Sequence, residues 1–241
     1  MKKVNQFIFL VVCLGLTSSF SVKKDEVINL VCEYLTNPIG IDVEKPRLSW
    51  QLKSDGQNVM QTAYEIRVSD SKNDLLKGTN LLWTSGKVES DQSIDVVYGG
   101  PLLKSMQRAY WQVRIWNNKN KVTSWSAPAF WETGILDTDL WSASYIGMND
   151  ITTERKSHPS QYFRKEFQTD KPIKSARVYV TSLGLYELHL NGKKVGNDLF
   201  TPGYTTYNHR LQYQTYDVTQ MLQKSNAIGA IVGDGWYRGN I

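Results

Sequence analysis

Apolar and polar residues alternate along much of the chain, and the alternation predicts strands. In "AYEIRV" Tyr64, Ile66 and Val68 fall on one face, and in "YWQVRIW" Trp111, Val113 and Ile115 oppose Gln112 and Arg114. A period of two is that of a half-buried antiparallel strand. The same period returns at Val178 and Val180, and again at Tyr186, Leu188 and Leu190. Turn residues separate these runs at Ser54 to Gly56, at Gly99 and Gly100, at Asn117 to Asn120 and at Asn191 and Gly192. The last pair suits a type I′ turn and therefore a hairpin. Ile228 to Val232 is a continuous apolar run whose Gly229 and Ala230 permit close packing before a Gly-rich corner. Long amphipathic helices are absent from the pattern; "DVTQMLQK", with Asp217 as N-cap, offers little more than two helical turns. The fold class expected is all-β.

Two units follow from the punctuation. The first, about residues 26–134, ends in a segment that resembles the final hairpin of a fibronectin type III sandwich. Leu102 or Leu103 precedes Tyr110 at the place of a tyrosine corner, and "SWS" at Ser124 to Ser126 would open the last strand. Residues 136–161 are polar and irregular after Trp141 and mark a boundary. Strands resume at Tyr162, so residues 140–241 form a second β-sandwich, of jelly-roll (galactose-binding-like) type. Strand patterning assigns Trp50, Trp111 and Trp125 to cores.

The amino terminus changes the picture of where the chain works. "MKKVNQFIFLVVCLGLTSSFS" has a basic start, an apolar run and a small-residue exit, the pattern of a secretory signal at residues 1–21. The run from Phe7 to Leu16 is shorter than the roughly 20 apolar residues of a membrane span, and no later segment approaches that length. Export to the periplasm or medium is expected. Val12 before Cys13 argues against lipid attachment, and cleavage near Ser21 would leave Cys32 as the single cysteine, without an intramolecular disulfide. The formal charge of +5 includes Lys2 and Lys3 of that signal, and no basic run is present, so nucleic acid is not an expected partner.

The blocks "VCEYLTNPIGIDVEKPRLSWQL", "QTAYEIRVSDS", "LWTSGKVESDQS", "YWQVRIWNNKNKVTSWS", "LYELHLNGKKVG", "TPGYTTYNHRLQYQTYDVT" and "GDGWYRG", in this order from Val31 to Gly239, resemble the amino-terminal region of bacterial α-L-rhamnosidases of glycoside hydrolase family 78. The resemblance implies a fibronectin-like or immunoglobulin-like sandwich, then a jelly-roll accessory domain, set before an (α/α)6 barrel that carries catalysis. It implies hydrolysis of terminal α-L-rhamnose with inversion by an acidic pair in that barrel. The sequence stops at Ile241, soon after "GDGWYRG", so the jelly-roll is expected to be incomplete, and no catalytic residue can be carried over. Inversion needs two carboxyls roughly 6.5 to 9.5 Å apart with room for water, and no motif here identifies such a pair. Hydrolysis by this portion alone is not expected.

Candidate chemistry therefore reduces to binding. Sugars stack on aromatic faces, and loops on rigid sandwiches often carry binding. Trp236 and Tyr237 at the Gly-rich corner, and Tyr204, Tyr207, Asn208 and Arg210 in the loop Thr201 to Arg210, are the candidate contacts to rhamnose-containing glycans. Packing against the catalytic barrel is a competing use of the same residues. His158, His189 and His209 lack ligand spacing for zinc. Asn197, Asp198 and Asp234 offer oxygens suited to calcium, without a placed ligand set. "GDGWYRG" lacks the βαβ setting of a dinucleotide site, and there is no GxSxG elbow. A free-standing carbohydrate-binding protein and a structural spacer are the alternatives to an accessory portion of a hydrolase.

Overall fold

The computed structural model describes residues 24–148 and 158–238; residues 1–21, expected to be a secretory signal, and with them Cys13, lie outside the described residues. The chain is nearly all β. Its first half contains β1 (Asp25–Cys32), β2 (Ile39–Ile41), β3 (Arg47–Ser54), β4 (Gln61–Ser69), α1 (Lys72–Lys77), β5 (Trp83–Thr84), β6 (Val96–Val97), β7 (Arg108–Asn117) and β8 (Ala129–Thr133). These form two facing sheets, ordered β1-β3-β6 and β2-β8-β7-β4-β5. The arrangement is an immunoglobulin-like sandwich, and the alternation places its core as expected. Ile66, Val68, Trp111, Val113 and Ile115 are wholly enclosed, with Tyr64 nearly so. Trp50 meets Tyr64 edge-on at 5.2 Å, and its indole N–H donates to Gln61 Oε1 at 2.9 Å. Tyr98 lies edge-on between Trp83 and Trp131, each 5.3 Å away.

Several expectations for this sandwich need correction. Gln112 is buried, although its neighbours alternate with it, because its amide accepts from Arg67 and donates to the Ser126 carbonyl. A polar residue is tolerated inside when its hydrogen bonds are met. Trp125 is half-buried on the outer face, with the Arg67 guanidinium 4.2 Å and the Arg114 guanidinium 4.7 Å from its ring centre. The indole serves there as a cation platform. Tyr110 also points outward and packs edge-on to Phe130; no tyrosine-corner hydrogen bond ties it to backbone among the described residues, and the enclosed tyrosine is Tyr98. The "SWS" segment does not open β8. It runs beside β7 through Thr123 N to Ile115 O and Ser126 N to Val113 O, and the regular strand starts at Ala129.

After a short 3-10 turn at Thr138–Leu140, the second half contains β9 (Gln161–Gln168), β10 (Arg177–Val180), β11 (Leu185–Leu190), β12 (Lys193–Lys194), β13 (Gln214–Asp217), β14 (Ser225–Gly233) and α2 (Gly235–Arg238). A four-stranded sheet β12-β11-β14-β9 is joined by the pair β10-β13. Tyr186, Leu188 and Leu190 are buried inward, opposite Val232, Ala230 and Ile228 of β14. Asn191 and Gly192, at φ 53° and 77°, make the expected hairpin turn into β12. Asn191 does more: its side chain donates to Met221 O and Asn226 Oδ1 and accepts from Ala227 N, which ties the turn to the start of β14. "DVTQMLQK" forms only a 3-10 turn, Thr219–Met221. Asp217 still accepts from Thr219 N at 3.0 Å, so its capping chemistry is kept, but it closes β13 rather than starting a helix.

The two halves meet through specific contacts. Glu132 on β8 binds Arg177 on β10, and Ile135 N donates to the Tyr213 hydroxyl at 2.8 Å. Gly40, at φ +78°, lies so close to Thr215 that a Cβ there would stand 2.5 Å from Oγ1.

Candidate substrate-contact site

The loop between β12 and β13 is anchored to β11 at its start. Thr201 is buried, its carbonyl accepts from Tyr186 N at 2.8 Å, and its hydroxyl donates to Tyr186 O at 2.7 Å. Gln214 donates to Pro202 O at 3.1 Å, and Thr205 donates to Arg210 O at 2.6 Å. The loop is thus closed on itself and fixed to the sheet. At the other side β14 ends at Gly233, and Gly235, at φ +48°, turns the chain into α2 against Leu185. A Cβ at that glycine would stand 2.6 Å from Leu185 Cγ, so the corner needs glycine.

These two elements bring together four of the six residues expected from sequence. Trp236 meets Tyr204 at 6.0 Å between ring centres, Tyr204 meets Tyr207 at 6.2 Å, and Tyr207 meets Tyr237 at 5.6 Å. Phe200 extends the arc, 6.1 Å from Trp236. The pairs are tilted or edge-to-face, the preferred geometry for aromatic quadrupoles. The arc is open to solvent: Tyr204 is 70% exposed, Phe200 67%, Tyr237 42% and Trp236 38%. Leu199 beside it is exposed as well. Partial burial, and then the neighbouring Tyr204, push the Tyr207 phenol above its ordinary pKa, so it is an un-ionised hydroxyl at neutral pH.

Asn208 and Arg210 do not join the arc. Both are exposed, and none of the ring contacts includes them; Arg210 shapes the loop through its backbone N–H to Thr206 O and its carbonyl. Phe200 and Leu199 were missed by sequence reasoning. Their signal was available: two large apolar residues side by side in a polar loop, one residue ahead of the turn residues Pro202 and Gly203.

The oxygens considered for calcium are engaged separately. Asp198 accepts from the Tyr216 hydroxyl at 2.9 Å, and Asp234 accepts from His158 N at 2.7 Å. Among the described residues no three acidic, histidine or cysteine side chains come together in a metal-binding group. The carboxyls whose acidity the fold resets are held ionised. Glu33 is lowered by hydrogen bonds from Arg47, and Glu187 by Lys194 and then His189; Asp217, despite partial burial, is lowered by hydrogen bonds from Thr219. A general acid for glycoside cleavage needs the opposite shift.

Two family models match the chain, the Rha78A-like N-terminal immunoglobulin domain over residues 27–137 and the alpha-L-rhamnosidase N-terminal domain over residues 171–241. An alpha-L-rhamnosidase of Alteromonas sp. (strain LOR) is 38% identical over 97% of this chain and 26% of its own length. One from Formosa agariphila is 34% identical over 99% of this chain and 28% of its own. The solved alpha-L-rhamnosidase from "Dictyoglumus thermophilum" superposes with a TM-score of 0.80 at 33% identity, over 88% of this chain and 25% of that one. The chain spans about a quarter of the length of the relatives it matches. In sequence and in fold, it belongs with the amino-terminal region of the α-L-rhamnosidases.

Proposed function

We propose that the chain is the amino-terminal accessory portion of an exported α-L-rhamnosidase, one that releases terminal non-reducing α-L-rhamnose from rhamnosides with inversion. The two β-sandwiches support or bind the substrate and leave the chemistry to a separate catalytic barrel. The observation that carries this reading is the solvent-facing arc Phe200–Trp236–Tyr204–Tyr207–Tyr237 on a loop and corner fixed to a rigid sheet. A 6-deoxy sugar presents C–H faces and a methyl group to such rings, and tyrosine hydroxyls can answer its hydroxyls. Residues 1–21 support export.

Calorimetric titration of the purified chain with L-rhamnose, with and without calcium, tests binding; Trp236→Ala should abolish whatever heat the parent shows. Incubation with a chromogenic α-L-rhamnoside should release nothing. Heat that survives Trp236→Ala removes the arc from the site, and turnover by the chain alone removes the accessory reading. Exposure of the arc also suits a free-standing rhamnose-binding protein; a longer transcript carrying a helical, acid-containing continuation would decide against it.

A further inference from the structure

The sequence holds a single Asn-Gly pair, Asn191–Gly192, and the fold uses it twice. As a turn it joins β11 to β12, with Leu190 opposite Lys193 and His189 opposite Lys194. As a latch it ties that turn to the chain at 221–227. The Asn191 backbone N–H donates to Ala227 O at 2.8 Å, and Oδ1 accepts from Ala227 N–H at 2.8 Å. Nδ2 donates to Met221 O and to Asn226 Oδ1, each at 2.9 Å. The receiving side is itself fixed. Asn226 is 4% exposed, and its amide accepts from Gln223 N at 2.8 Å and donates to Gln223 O at 2.6 Å. The place beside Met221 O and Asn226 Oδ1 therefore needs two donors, which an amide has and a carboxylate lacks.

An Asn-Gly pair is also where an asparagine side chain cyclises with least obstruction, because glycine has no side chain to shield its nitrogen. Gly192 is exposed, and even a Cβ there would meet nothing within 4 Å. We propose that Asn191 is a modification site, a deamidation point that the latch keeps shut in the folded chain and that unfastens the hairpin once it has reacted. In the step, the Gly192 nitrogen bonds to Asn191 Cγ, the bond from Cγ to Nδ2 breaks, and Nδ2 leaves as ammonia with the proton of the Gly192 nitrogen. Water then opens the five-membered ring to aspartate or isoaspartate. Ring closure requires Cγ to swing onto the Gly192 nitrogen against the three side-chain hydrogen bonds, so it proceeds from the opened hairpin.

Neither product closes the latch again. Aspartate sets a carboxylate against two acceptors, Met221 O and Asn226 Oδ1, and leaves both without a donor. If Asn226 turns over to donate to that carboxylate, Gln223 loses both of its bonds to the amide. Isoaspartate puts an additional main-chain carbon into a two-residue turn whose length fixes the pairing of β11 with β12. This assignment is independent of whether the aromatic arc takes a sugar.

The test incubates the full chain at pH 8, folded and in urea, and follows conversion at Asn191 by peptide mapping with mass spectrometry. Conversion should be slower by about tenfold or more in the folded chain, the protection expected where reaction needs local opening. Asn226→Ala should raise the folded rate and leave the rate in urea unchanged. Asn191→Asp should melt lower than the parent and exchange the Gln223 amide hydrogen faster. If Asn226→Ala does not fold, the parent in buffer and in urea still decides. Equal rates in buffer and urea, a folded Asn226→Ala protein that converts no faster than the parent, or an Asn191→Asp protein with unchanged melting and unchanged exchange at Gln223 would each overturn the proposal.

Discussion

Arg177 reaches from the second sandwich to Glu132 of the first and grips it with both prongs, Nε at 2.7 Å from Oε1 and the terminal nitrogen at 3.0 Å from Oε2. Arg108 holds the same carboxylate from its own sheet at 2.9 Å, and Arg177 also reaches Asp217 at 3.0 Å. Both Glu132 and Arg177 are largely enclosed. Removing one partner of a buried pair typically costs about 3 to 5 kcal/mol, because the other charge is stranded. Glu132 keeps Arg108, so the loss for Arg177→Ala should fall at or below the lower end. The expected outcome is a lower melting temperature and faster proteolytic cutting near residues 136–141. A single unchanged transition with unchanged cutting would show that the two sandwiches do not depend on this pair.

Gly40 makes the same junction sensitive to one methyl group. Its φ of +78° disfavours any side chain, and a Cβ would stand 2.5 Å from Thr215 Oγ1 and 2.8 Å from its Cβ. Gly40→Ala therefore combines backbone strain of about 1 kcal/mol or more with a clash. The double change Gly40→Ala with Thr215→Ala should recover part of the loss, because the nearest clashing atom, Oγ1, leaves while the Cβ contact and the backbone strain stay. Equal melting temperatures for the single and double variants would remove the clash from the account.

What the sequence made legible was whatever depends on local period. The alternation at Tyr64, Ile66 and Val68 and at Trp111, Val113 and Ile115 places the first core, and Asn191 with Gly192 places the hairpin. What it hid was decided by distant partners. Gln112 looked outward until Arg67 and Ser126 were seen to satisfy it, and Trp125 looked like core until two guanidiniums were found across its face. The aromatic arc was half legible: aromatic residues in a loop and a glycine corner marked Tyr204, Tyr207, Trp236 and Tyr237. Their convergence, and the place of Phe200 among them, depends on Thr201 pinning the loop to Tyr186. Pairing of β10 with β13, across more than thirty residues, has no local signature.

Trp111 and Trp125 offer a direct comparison of enclosed and outer indoles. Trp111 has no exposed surface, and its loss should cost about 3 to 5 kcal/mol, enough to unfold the first sandwich. Trp125→Ala gives up two cation contacts of about 0.5 to 1 kcal/mol each and partial burial, so the fold should persist with a reduced melting temperature. Circular dichroism melts of both variants check the ordering. A Trp111→Ala protein melting within a few degrees of the parent would refute the enclosed role.

Cys32 sets an alkaline limit on the first sandwich. Burial, and then the adjacent Glu33, push its thiol from 9.0 up to about 12, and burial pushes the Tyr98 phenol from 10.0 up to about 12. Both groups lose a proton more readily in the unfolded chain than in the folded one. Their contribution is therefore fully present below about pH 9 and is lost as pH rises towards 12, at about 1.4 kcal/mol per pH unit for each group that has ionised only in the unfolded chain. Urea midpoints should be insensitive to these two groups below pH 8 and should fall steeply from pH 9 to 11. Cys32→Ser and Tyr98→Phe should each flatten that fall, and Cys32 should resist iodoacetamide at pH 8 until denaturant is added. Rapid labelling of the native protein at pH 8, or a fall equally steep in both variants, would show that these two buried groups do not set the limit.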